Sequence, residues 1–152
     1  INEQIKLLEK ITNTQKRKNY SKICLNAEEV KILSKHPLIT IGSHGHNHLN
    51  LKILNDEEMR HEINQSSKIL KNLLGCRVKH FCYPYGEKKQ ASAREYNMIK
   101  EFKFCSAVTS RVFPIRNYNL FALPRIYIGE STCDKTLINH ISGFYNLMNK
   151  LF

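Results

Sequence analysis

No apolar run in this sequence approaches the ~20 residues that a helix needs to cross a bilayer. With 41% hydrophobic and 24% charged residues, the expectation is a soluble globular chain. There is no C-x-x-C pair. The five cysteines, Cys24, Cys76, Cys82, Cys105 and Cys133, are odd in number and widely spaced, which argues against a disulfide framework and against a cysteine zinc site. Reduced thiols in a cytoplasmic setting are the expectation. The opening INEQIKLLEK has no basic cluster, apolar stretch and small-residue cleavage site in succession, and no Met precedes Ile1. Upstream residues are therefore expected, and an address carried by them would send the protein to the envelope or outside the cell. Acidic residues are few, 13 against 24 Lys and Arg, for a net charge of +11. Such a charge attracts nucleic acid, anionic polymers and membrane surfaces. The basic residues are scattered, however; only QKRKNYSK (15–22) and EKK (87–89) are locally dense, and aromatics do not interleave with them. A nucleic-acid partner is not expected.

At 152 residues the chain can bury roughly two-thirds of its unfolded surface. It holds no repeat, low-complexity tract or linker, so one domain over residues 1–152 is the simplest organisation. Ile1, Ile5, Leu8 and Ile11 recur at helical spacing, and NTQKRKNYSK reads as a polar loop. Asn26 and Glu29 make a capping-box start for LNAEEVKILSKH, which has Val30 and Leu33 on one face and is stopped by Pro37. LITIG is short and β-branched, as suits a buried strand. Asn55 caps DEEMRHEINQSSKILKNLL, where Met59, Ile63, Ile69, Leu70 and Leu73 recur at three- and four-residue steps before Gly75 closes the helix. Next come a strand in VKHFCY, a helix in ASAREYNMIKEF, a strand in FCSAVTS, an extended LFALPRIYI broken by Pro124, and a helix in TCDKTLINHISGFYNLMNKLF weakened by Gly143. Strands alternating with helices predict an α/β fold with a mostly parallel sheet.

In such folds chemistry gathers at the carboxyl ends of the strands. Two loops of unusual composition have that location: SHGHNH after the first strand and YPYGE after the second. His44 and His48 are four apart, and neutral imidazole is the commonest protein ligand for zinc and similar ions. Gly42 and Gly45 give the backbone freedom to bring them together, and His46 is a third candidate. Two ligands do not close a tetrahedral site, so a carboxylate or another histidine must come from elsewhere. His36, His61, His80 and His140 lack such a setting and read as polar residues that simply face water. YPYG offers a backbone amide in a tight turn, suited to a developing oxyanion, and the rings of Tyr83 and Tyr85, suited to a sugar face.

IGSHGHNHLNL, a helix, FCYPYG, another helix, then FCSAVT and LPRIYI follow one another over residues from about 28 to 130. In that order and spacing the chain resembles the polysaccharide deacetylases of the NodB-homology family, the family-four carbohydrate esterases. The resemblance implies an incomplete, distorted β/α barrel with mostly parallel strands. It also implies a metal-dependent hydrolase that removes acetyl groups from an N-acetylated polysaccharide or sugar conjugate. The family's paired-histidine metal motif maps onto His44 and His48, leaving His46 outside the ligand set, and the cation it implies is divalent, usually zinc. The family's R-x-P-Y motif maps onto Cys82, Tyr83, Pro84 and Tyr85, with the Tyr85 N–H as an oxyanion donor.

Three features depart from the family pattern. Its first strand carries T-F-D-D-G, with a catalytic base and a third ligand, and no Asp-Asp pair occurs here; Asp56 and Asp134 stand at helix starts and fit capping. Cys82 replaces the usual arginine, leaving Arg125 in LPRIYI as the candidate to orient a base. The late L-x-H motif is not evident, and His140 in LINHISG fits a structural role. Together with the absent Met, these departures predict the carboxyl portion of a longer protein, without its N-terminal strand or strands, binding metal weakly and hydrolysing little alone. The competing expectations are a non-catalytic carbohydrate-binding module on the same fold and, ranked last, a basic nucleic-acid-binding protein.

Overall fold

The structure is a computed structural model that describes residues 24–112, 119–129 and 132–143. The helix expected over the first twelve residues, the QKRKNYSK cluster and the end of the last helix lie outside them. Among the described residues no helix is long and apolar enough to cross a membrane. Where the sequence suggests one domain, the chain divides into two compact units, Ile1–Ile39 and Thr40–Phe152.

In the first unit, helix α1 (Ala27–Ser34) starts at the expected capping box. The Asn26 side chain accepts the N–H groups of Glu28 and Glu29, and the Glu29 carboxylate accepts the Asn26 N–H. These bonds satisfy donors that a helix start otherwise leaves open. The helix stops ahead of Pro37, and no residue of it is buried.

The second unit is built on α2 (Asp56–Leu74), with the same device at its start between Asn55 and Glu58 and a left-handed Gly75 at its end. Its buried stripe differs from the apolar pattern. Met59 and Ile63 are buried as expected, but the turns between and beyond them bury Glu62 and Ser66, while Ile69 is 50% exposed. A polar segment of the helix therefore faces inward. The core it packs on includes Leu51, from a short 3-10 turn at Leu51–Ile53, and Val78, Phe81, Tyr83, Ala91, Met98, Ile99, Phe104 and Ala107.

Strands β1 (His80–Cys82) and β2 (Ser106–Val108) pair in parallel, His80 opposite Ser106, Phe81 opposite Ala107 and Cys82 opposite Val108. Helix α3 (Ala93–Glu101) connects them. Buried Glu95 in its first turn accepts both the N–H and the hydroxyl of Ser92. The two outer strands expected from LITIG and LFALPRIYI shrink to single parallel bridges, Ser43 to Phe81 and Leu123 to Val108. Ser43 still makes both bonds of a ladder residue, donating to His80 O and accepting from Cys82 N. The spatial order 43, 80–82, 106–108, 123 repeats the chain order, the succession that winds a parallel sheet in one direction.

Side chains alternate across this sheet. Phe81 and Ala107 are buried in the helix-covered core, whereas His80, Cys82, Ser106 and Val108 are half-buried and line an open cleft of about 400 Å³ with Thr40, Gly42, Ser43 and His44. Helix α4 (Asp134–Ile141) completes the described elements. Neither aspartate singled out at a helix start is the capping residue: the N-caps are Asn55 and Cys133. Asp56 instead pairs with Arg94 at 2.7 Å.

Candidate active site

The chain leaves Ser43 at the carboxyl end of its ladder bond and turns sharply. Ser43 is buried, and its hydroxyl meets that of Ser66 at 2.7 Å, which in turn donates to Ile63 O. Gly45 (φ 79) and His48 (φ 55) are both left-handed, so the backbone bends at each end of His46–Asn47. The inward Glu62 of α2 holds this bend. Its Oε2 accepts the N–H of Asn47 at 2.8 Å and of His46 at 3.1 Å, and its Oε1 accepts Asn47 Nδ2 at 2.6 Å.

The two candidate ligands come together on this loop. The His44 and His48 rings lie 4.8 Å apart, centroid to centroid, nearly edge-on at 76°. His44 Nδ1 is 2.7 Å from the backbone oxygen of Cys82. A carbonyl can only accept, so Nδ1 carries a proton; in the neutral imidazole this leaves the lone pair at Nε2, the arrangement that orients a metal-binding imidazole. His46 spends its N–H on Glu62, and its ring is not part of this pair.

The YPYG turn lies against the same pair. Tyr85 is 55% exposed, and its ring stands 5.1 Å from that of His48. Its φ of 64 together with the 2.8 Å bond from Gly86 N to Pro84 O makes a three-residue turn of the rarer left-handed kind. A bulky residue in that conformation costs about 1–3 kcal/mol and is characteristic of functional sites. The turn is pinned from behind by Ser110, whose hydroxyl donates to Tyr85 O at 2.6 Å and whose N–H donates to Gly86 O at 3.2 Å.

Tyr83 and Pro84 were expected to form a substrate wall with Tyr85, and here the structure differs. Tyr83 is 1% exposed, its N–H donates to Val108 O, and its hydroxyl donates to Phe121 O at 2.9 Å. Burial, with neighbouring Tyr96 and Glu95, pushes its phenol far above the usual range. Its ring is a strut of the core and cannot stack on a sugar. Pro84 is also buried and stiffens the turn from below. Only Tyr85 presents a face to solvent.

Cys82, at the position where the resemblance leads one to expect arginine, lines the cleft, and burial raises its thiol pKa against the opposing charge of Arg125. Arg125 reaches this end of the sheet, with its Nε donating to Thr109 O at 2.9 Å. His80 is the residue that sequence reasoning missed. Its ring bonds Ser106 Oγ at 2.8 Å and lines the cleft beside His44. The signal was available in the strand alternation, which puts His80 and Cys82 on one face. His140 lies on α4 and His61 on α2.

For a divalent cation the donor set fits in part. Two converging imidazoles, one with its tautomer fixed, match two corners of a tetrahedral site. Among the described residues no group of three His, Cys, Asp or Glu side chains is placed to hold a metal ion.

A family model described as polysaccharide deacetylase matches residues 6–100. Among solved structures, the Streptococcus pyogenes deacetylase PplD, in complex with acetate, is similar with a TM-score of 0.66 at 18% identity, over 76% of this chain and 50% of that one. BC0361, a polysaccharide deacetylase from Bacillus cereus, gives 0.65 at 19% identity over 78% of this chain and 37% of its own. The BpsB deacetylase domain from Bordetella bronchiseptica gives 0.57 at 16% identity, over 66% and 48%. No curated protein matches the chain. At these identities the likeness concerns the fold, and the chain spans half or less of the length of each of these structures. The parallel sheet with its connecting helices is an incomplete β/α barrel of the kind these deacetylases share.

Proposed function

Because this chain belongs to the polysaccharide deacetylase family, we propose that it carries part of the site of a hydrolase that removes N-acetyl groups from a polysaccharide or sugar conjugate, with His44 and His48 holding a divalent cation, zinc by preference. The observation that supports this most is the meeting of three groups at one end of the sheet: two imidazole rings 4.8 Å apart and the Tyr85 ring 5.1 Å from the second. When bound, such a cation lowers the pKa of a water toward neutrality and polarises the acetyl carbonyl.

The chain's own residues supply orientation and charge stabilisation. The Cys82 carbonyl holds His44 in the tautomer that offers Nε2 outward. The strained turn fixes the Tyr85 N–H as a donor for negative charge on the acetyl oxygen, and the exposed Tyr85 ring gives the sugar a flat surface. Arg125 brings a positive charge to the same end of the sheet, suited to orienting a carboxylate base from outside the described residues.

Two imidazoles leave half of a tetrahedral site to other donors, so the 152-residue chain alone is expected to bind zinc weakly and to hydrolyse little. The test is zinc content and deacetylation of chitin oligomers, measured for the chain alone and for the chain fused to an N-terminal segment that carries the family's Asp-Asp motif. His44→Ala with His48→Ala should reduce zinc uptake to background and abolish the activity of the fused protein. Equal zinc uptake by the double variant would overturn the assignment of the ligands.

A further inference from the structure

We propose that Glu62 is a positioning residue for the imidazole pair: its buried carboxylate holds the backbone between His44 and His48 in the bent form that brings the two rings together. Glu62 is 3% exposed, and the ion pairs among the described residues do not include it. A buried carboxylate needs compensation. The groups that provide it belong to the histidine loop: the N–H groups of His46 and Asn47 converge on Oε2, and the Asn47 amide donates to Oε1.

The clamped residues are also the ones that set the geometry. Gly45 and His48, at the two ends of the clamped pair, have φ of 79 and 55. Glycine adopts such a backbone freely, whereas histidine does so against a steric penalty. Without the clamp, residue 48 relaxes to negative φ, and its ring, 4.8 Å from His44 and 5.1 Å from Tyr85, turns away from both. The carboxylate also sits where the two loops meet, since a Cβ on Gly45 would lie 3.7 Å from Glu62 Oε2 and 3.6 Å from Pro84 Cγ. Glu62 thus ties a helix of the scaffold to the loop carrying both candidate ligands, the support that keeps a metal site ordered before metal arrives.

The role rests on His44 and His48 being the metal ligands, so its test has one arm that needs no metal. Glu62→Gln keeps the shape and one acceptor oxygen; Glu62→Leu keeps bulk and removes both. In the metal-free 152-residue chain, NMR of ¹⁵N-labelled imidazoles should show the nuclear Overhauser contact between the His44 and His48 rings weakened in the Gln variant and lost in the Leu variant. Zinc affinity by calorimetry should fall in the same order, by on the order of tenfold or more for Leu. Folded variants that melt at lower temperature yet keep the wild-type ring contact without metal would reduce Glu62 to a stabilising residue and overturn the proposal. If the Leu variant does not fold, the Gln variant decides by the same contact. If wild type takes up no more zinc than the His44→Ala, His48→Ala double variant, the metal assignment fails, while the ring contact still judges Glu62.

Discussion

The two loops that meet at the carboxyl end of this sheet are held by opposite means. The histidine loop hangs on a charged side chain, with Glu62 accepting three hydrogen bonds from it. The Tyr85 turn is held by backbone: Gly86 donates to Pro84 O and accepts from Ser110 N, and the Ser110 hydroxyl caps Tyr85 O. Both loops carry a strained non-glycine residue, His48 in one and Tyr85 in the other. A carboxylate clamp answers to side-chain substitution and to acid, whereas a backbone clamp answers to added volume. The difference suits the proposed roles. The loop offered to a cation is set by one replaceable group, and the loop offered to the acetyl oxygen is built into the main chain.

The largest effect should separate the glycines of the two loops. An alanine Cβ at Gly86 would sit 2.7 Å from the Ser110 nitrogen with φ at 65, so a backbone clash adds to left-handed strain. Gly86→Ala should cost about 3 kcal/mol in urea unfolding. At Gly45 the φ is 79, but the nearest atoms to the added carbon are at 3.6 and 3.7 Å, ordinary contact distances. Gly45→Ala should cost only about 1–2 kcal/mol, the left-handed strain alone. Equal losses at the two positions would mean that both loops are held alike. Smaller again is Ser110→Ala, which removes the hydroxyl bond to Tyr85 O and should cost about 1 kcal/mol. It should raise the exchange rate of the Gly86 amide while leaving that of Asn47 unchanged.

What the sequence disclosed about these loops follows the range of the forces involved. The capping boxes at Asn26 and Asn55 and the left-handed Gly75 are settled within four residues, and the two helices they bound appear where the letters put them. That His44, His48 and Tyr85 meet at one end of the sheet was legible, because a strand end followed by an unusual cluster of residues is also a local pattern. The fate of Tyr83 was not. Whether a tyrosine beside a turn faces the core or a ligand depends on residues nearly forty positions away, here the carbonyl of Phe121. Glu62 was hidden for the same reason. On a helical wheel it reads as one more surface acid, and only the fold brings the amides of residues 46 and 47 against it. The outer strands were overstated because β-branched letters advertise extended backbone, whereas a ladder also needs a partner, and LITIG finds one only through Ser43.

The smallest expected effect is also the most selective, because it acts on one loop alone. Burial raises the pKa of the Glu62 carboxyl, but the bonds from Asn47 and His46 outweigh burial and leave the group below its ordinary 4.5. A carboxyl whose folded pKa is depressed stabilises the fold above its unfolded pKa, and that contribution is lost as pH falls through the folded value. As pH falls below the ordinary carboxyl value of 4.5 and through the depressed folded value, the amides of His46 and Asn47 should therefore lose protection against hydrogen exchange. The amides of Gly86 and Ser110, which donate to the backbone oxygens of Pro84 and Gly86, should keep theirs. Glu62→Gln isolates the carboxyl: the acid-dependent step should vanish in that variant, and a step of unchanged size would locate its origin elsewhere in the loop.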